Sequence, residues 1–215
     1  MKMRFVLFGA ILASACQTTQ LPAVAVADAT ADARAVSEVT ADDRAVMSAV
    51  LDGALRRRTL PDPGTPTEAR FLVLDSTVPS CSPEALASGN LILGCFDLEK
   101  PLWRLLIEGL TCEQNDQTAG AMLVRRNASS MAIRGKLGED VALVPADTVY
   151  SVRRLSELFL RYPHGGSLVT FSAPVYPKPG VAVVYYRAFE SELGFACLVH
   201  DQGRWSVRAR NNTVE

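Results

Sequence analysis

Apolar residues recur at helical spacing along most of the chain and at every second position near its end. TADDRAVMSAVLDGALRRR, residues 40–58, sets Val46, Met47, Val50, Leu51, Ala54 and Leu55 on one stripe, the pattern of a helix that buries one face. Thr40 stands at the N-cap and Asp43 at the capping-box position, where their side chains satisfy or complement exposed N–H groups of the first turn. Arg56, Arg57 and Arg58 follow where a helix dipole is negative and read as a solvated helix end, although such a cluster could also grip an anion or lipid headgroups. Pro61, Pro63, Gly64 and Pro66 make a loop, and FLVLD, residues 71–75, has the length and composition of a buried strand. Ser82-Pro83-Glu84 resembles a cap with proline at the first helical position. PLWRLLIEGL and QTAGAMLVRRN each suit a helix, the first with Leu102, Leu105, Leu106 and Leu110 as its stripe and Trp103 beside it. LGEDVALVPADTVYS, residues 137–151, reads as extended or irregular. Ser151 then caps a helix whose Val152, Leu155, Leu158, Phe159 and Tyr162 share a face, while Arg153, Glu157 and Arg161 line the other at i, i+4 intervals.

From Gly166 the period becomes two. GSLVTFS, VAVVYYRAF, FACLV and RWSVRAR predict four consecutive antiparallel strands, with turns at Pro177-Lys178-Pro179-Gly180, around Glu190 to Gly194, and at Asp201-Gln202-Gly203. The fold class is therefore α+β, a C-terminal antiparallel meander of about four strands packed against several helices. In the last strand strict alternation sends Trp205, Val207 and Ala209 to the core face and Arg204, Ser206, Arg208 and Arg210 to the other. Those arginines, with Tyr185 and Tyr186, form the candidate interaction face.

The N-terminus changes the setting. MKMRFVLFGAILASACQTT carries Lys2 and Arg4 ahead of an uncharged apolar run from Phe5 to Ala13, the layout of a secretory leader and too short for a permanent span. Ala13-Ser14-Ala15 fits ordinary signal-peptidase cleavage, and Ala13-Ser14-Ala15-Cys16 resembles the lipobox of bacterial lipoproteins, with Ala13 where leucine is commoner. Cysteine parity favours the second reading. With Cys16 acylated, Cys81, Cys95, Cys112 and Cys197 remain as an even set for an oxidising compartment. That resemblance implies a lipid anchor on Cys16, and Gln17 after it implies an outer-membrane position facing the periplasm. Soluble periplasmic or secreted protein is the alternative. The organisation is then a leader over 1–15, an alanine-rich tether over 16–39 and a single α+β domain over 40–215.

Composition adds exclusions. Of 215 residues, 22 are basic and 23 acidic; losing Lys2 and Arg4 with the leader makes the mature chain net acidic, which gives no reason to expect a nucleic-acid partner. Four cysteines allow three pairings. Cys81 with Cys95 would close a 15-residue loop worth about 3 kcal/mol in the chain-entropy model, and Cys112 with Cys197 would then tie the middle of the chain to the sheet. Zinc is the competitor, but no C-x-x-C or His-x-x-x-His occurs, so neither metal nor cofactor is expected. Gly135-Lys136-Leu137-Gly138 has the wrong order for a phosphate loop, and Asn127-Ala128-Ser129 fits a glycosylation sequon.

His164-Gly165-Gly166 resembles an oxyanion loop at first sight. Pro163 stops the preceding helix and the glycines supply a turn, which accounts for every residue there except His164. A nucleophile elbow of the form G-x-S-x-G is absent from the sequence. No catalytic residue is assigned.

Tyr162-Pro163, Gly166, Ser172-Ala173-Pro174-Val175, Ala182 to Tyr186, and Gly203-Arg204-Trp205-Ser206-Val207 together resemble the C-terminal part of a loosely defined group of uncharacterised secreted bacterial proteins. The resemblance covers about the last third and implies an α+β domain without an activity. Three functional readings follow. The leading one is a lipid-anchored, non-enzymatic envelope module that meets the membrane through its anchor and presents a sheet face or pocket to an envelope partner. The alternative is a small-ligand-binding domain with a pocket between sheet and helices. The third is a hydrolase using Ser167 or Ser172, with His164 or His200 as base.

Overall fold

Phe71–Leu74 has no exposed side chain on either face, and that fact organises the molecule. Phe71 and Val73 enter one apolar cluster, Leu72 and Leu74 another, so this strand, β1, is covered on both sides. The computed structural model describes residues 37–55, 70–81, 95–110, 117–150, 152–163, 167–189 and 192–214, all within the compact unit Ala35–Glu215. The leader, Cys16, Arg56 to Arg58, Ser82-Pro83-Glu84, Cys112, Ser151 and His164 lie outside the described residues.

The sheet has seven strands: β1, β2 (Val141–Val144), β3 (Leu168–Phe171), β4 (Val175–Lys178), β5 (Val181–Ala188), β6 (Glu192–Asp201) and β7 (Arg204–Val214). Its order is β2-β1-β3-β5-β6-β7, with β4 pairing β5 off this path. β1 runs parallel to β2 and β3, whereas β3, β5, β6 and β7 are joined antiparallel. The four strands expected from the period-two block are therefore neighbours in the sheet. The parallel half, β2-β1-β3, makes the sheet mixed.

On one face lies α1 (Ala41–Val50), continued by a π-helical turn over Leu51–Leu55. Its stripe is as expected: Val46, Met47 and Val50 are fully buried, and Leu51, Ala54 and Leu55 nearly so. Each of the larger of these side chains contributes about 1.5–3 kcal/mol of apolar burial. Thr40 and Asp43 complete a capping box at its start. Val39, at the end of the expected tether, is already in the core at 2% exposure, and its N–H donates to Ala132 O.

On the other face lie α2 (Pro101–Glu108), α3 (Gln117–Arg126) and α4 (Val152–Arg161). Here the expected stripes need correction. α2 buries Leu106 and Ile107, with Leu110 buried just past its end, while Leu102 and Leu105 face outward. α4 buries Leu158, with Leu155 and Tyr162 packed partly against the core and Phe159 half exposed. Trp103 packs with Phe96, Tyr185 and Phe195 in an aromatic cluster whose centroid separations run from 5.2 to 6.5 Å.

Candidate functional site

The first turn of α1 carries two aspartates that reach in different directions. Asp43 is fully buried and accepts three hydrogen bonds: from Thr40 N at 2.8 Å, Arg126 Nη2 of α3 at 2.6 Å, and the Tyr176 hydroxyl of β4 at 2.8 Å. The Arg126 guanidinium also lies over the Tyr176 ring, 5.6 Å from its centroid. Asp42 is exposed and accepts from Trp205 Nε1 of β7 at 2.8 Å. Trp205 in turn packs against Tyr176 at 5.9 Å and His200 at 5.0 Å. Burial, reinforced by the hydrogen bond and charge of Asp43, holds the Tyr176 phenol well above its ordinary range, so it stays a donor.

Around this partly exposed indole the surface is concave. An open cleft of about 810 Å³ lies along the seam where α1 and its π-helical turn pack on β7; Asp42, Ser48 and Asp52 form one wall, and Trp205, Arg204 and Arg208 belong to the other. A second depression of about 520 Å³ adjoins it, lined by Tyr176, Lys178, Pro179, His200, Trp205 and Asp42. Asp42, His200 and Trp205 belong to both. The π-helical turn lies close on β7 at Gly53, where a Cβ would stand 3.1 Å from Val207 Cγ2.

A second buried carboxylate braces the far end of the cleft. Glu192 is fully buried and accepts from Tyr186 OH at 2.9 Å, Arg210 Nη1 at 3.3 Å and Asn212 Nδ2 at 2.7 Å. Arg210 Nη1 also donates to Ala54 O at 3.0 Å, tying β7 to the π-helical turn. Burial first, and then Glu192, raise the Tyr186 phenol.

Of the expected interaction face, Arg204, Arg208 and Arg210 line the cleft, and the two tyrosines do not. Tyr185 and Tyr186 are adjacent on β5, so they point to opposite faces, and both are buried. A bulge in β7 separates the arginines: Cys197 pairs with Ala209 and Leu198 with Val207, which leaves Arg208 as the extra residue. Beyond it the alternation reverses, so Arg210 turns to the α1 side and Ala209 to the other cluster. Arg204 and Arg208 remain exposed beside the cleft.

Cys81 and Cys95 form a disulfide. Cys197, fully buried on β6, is also disulfide-bonded. Among the described residues no group of three His, Cys, Asp or Glu side chains could hold a metal, and no helix is long and apolar enough to cross a membrane. Ser172 is fully buried and its hydroxyl accepts from Tyr185 N at 3.0 Å, a structural use that leaves it out of reach of substrate. His200 is exposed and packs on Trp205, five residues along β6 from the cross-strand partner of Tyr185, a run of about 17 Å. Asn127 of the sequon is fully buried, bonded to Leu123 O, Ala173 O and Ala173 N, and closed to glycan addition. No family model, curated protein or solved structure matches this chain.

Proposed function

We propose that the protein is an exported, lipid-anchored, non-enzymatic binding domain, and that it grips an extended segment of an envelope partner in the cleft between α1 and β7. The observation that carries this reading is Trp205, partly exposed at the junction of the two depressions and held by Asp42, Tyr176 and His200. A tryptophan already fixed in its bound orientation loses little rotamer freedom on association, and tryptophan is enriched among residues that dominate binding energy. The walls are of opposite sign, Asp42 and Asp52 against Arg204 and Arg208, which suits a segment carrying both charges. Acylation of Cys16, disulfides and the tether supply the envelope setting.

The cleft is open to solvent, and this favours a chain segment over a small molecule, which pockets ordinarily enclose on most sides. The test places a photoreactive side chain at Ser206 in living cells. A discrete protein adduct that disappears in Trp205→Ala supports the reading; no adduct, or one indifferent to Trp205→Ala, contradicts it.

A further inference from the structure

We infer that the outer surface of α2, α3 and α4 rests on an anionic lipid bilayer. The large apolar side chains exposed among the described residues all belong to this one layer: Leu102 and Leu105 on α2, Val124 on α3, Phe159 and Leu160 on α4. Leu160 is 80% exposed and Leu105 65%, so these are protruding tips and not the margins of core residues. Among the described residues, the α1 layer on the opposite face of the sheet exposes none.

Charge divides the same way. α2, α3 and α4 carry six arginines against two glutamates, Glu108 and Glu157. α1 and its π-helical turn carry Asp42, Asp43 and Asp52 against Arg44. Arg153 pairs with Glu157 and Arg154 with Asp147, and Arg126 turns inward to Asp43. The positive excess of the layer therefore rests on Arg104, Arg125 and Arg161, all exposed, against the one remaining acid, Glu108.

The pattern fits a bilayer better than a protein groove. The apolar tips are spread over three helices, interleaved with arginines whose heads can stay at phosphate depth while their stems lie along apolar surface. A protein partner would more naturally meet one contiguous patch with a desolvated centre. The inference is independent of what acylates Cys16 and of what fills the cleft.

The full chain, on vesicles containing about a third phosphatidylglycerol, tests it with a photoreactive benzoylphenylalanine replacing Leu160 or, on the opposite face, the exposed Ala45. Both positions carry the same N-terminus, so anchoring alone cannot separate them. The expected result is phospholipid adducts at least tenfold more abundant from position 160 than from 45, falling several-fold on phosphatidylcholine vesicles or in high salt. Equal yields from both positions, no lipid adduct from 160, or adducts from 160 to a second copy of the chain or to another protein would each overturn it.

Discussion

At the scale of single residues, Asp43 ties three elements together beside the cleft: α1, α3 and β4. It caps its own helix, receives the Arg126 guanidinium and orients the Tyr176 hydroxyl. Asp43→Ala removes the N3 half of the capping box and leaves a partly buried arginine and a tyrosine hydroxyl without their acceptor, so the expected loss is about 2–4 kcal/mol in urea denaturation. A loss below about 1 kcal/mol would mean that the network adds little. The two raised phenols give a second prediction, with its sign. A tyrosine that holds its proton more tightly when folded contributes stability that is complete below its unfolded value near 10 and fades as pH rises beyond it. Stability should therefore fall above about pH 10. Chemical denaturation of Tyr176→Phe/Tyr186→Phe should show a shallower fall; an unchanged slope would remove these phenols from the alkaline transition. Asp43 was legible as a capping-box residue from Thr40 three positions earlier. Its partners were not, because Arg126 and Tyr176 lie 83 and 133 residues away and no local pattern encodes such pairs.

Elements were legible where one periodicity governs burial. The α1 stripe follows from spacing alone, and the hairpin between β6 and β7 follows from Gln202-Gly203, which take the positive φ values of 49° and 77°. Reading failed where tertiary structure interrupts a period. The bulge at Arg208 reverses the faces of β7, and nothing in RWSVRAR announces it. β4 escaped notice because Pro177 lies within VYPK, and the strand tolerates it where its register with β5 shifts. Gly194 reads as part of a turn but sits inside β6, where an added Cβ would stand 2.3 Å from Asn211 O of β7. Gly194→Ala should therefore force β6 and β7 apart. The expected result is a drop of several degrees in Tm, with faster amide exchange in both strands. An unchanged melting curve would show that the close approach is not required.

For the whole molecule, a mixed sheet divides a clefted face, walled by residues of both charges, from a face whose helices carry exposed apolar tips. The class, α+β with an antiparallel C-terminal block, was readable because strands and helices segregate along the chain; the parallel β2-β1-β3 half was not, since its three short runs are far apart in sequence. Of the expected site, Arg204, Arg208 and Arg210 meet the cleft and the two tyrosines do not, while Trp205, assigned to the core by alternation, is its centre. A cleft between a helix and an edge strand is a property of their packing and leaves no local motif. The Cys81–Cys95 bond, closing the loop foreseen from spacing, restricts the unfolded chain by about 3 kcal/mol. Peptide mapping without reductant should assign the second bond to Cys112 and Cys197, because Cys112 follows the end of α2, whose Leu105 and Leu106 carbonyls accept from Asn211 of the neighbouring β7. A Cys16–Cys197 bond would instead withdraw the thiol that lipidation needs.

The account as a whole turns on occupancy of the cleft. Amide hydrogen exchange, compared between the chain in isolated envelopes and the same chain purified, reads it directly. Added protection over α1 and residues 204–210 in the envelope, lost in Trp205→Ala, is the predicted result. Identical exchange of those segments in both states would contradict it.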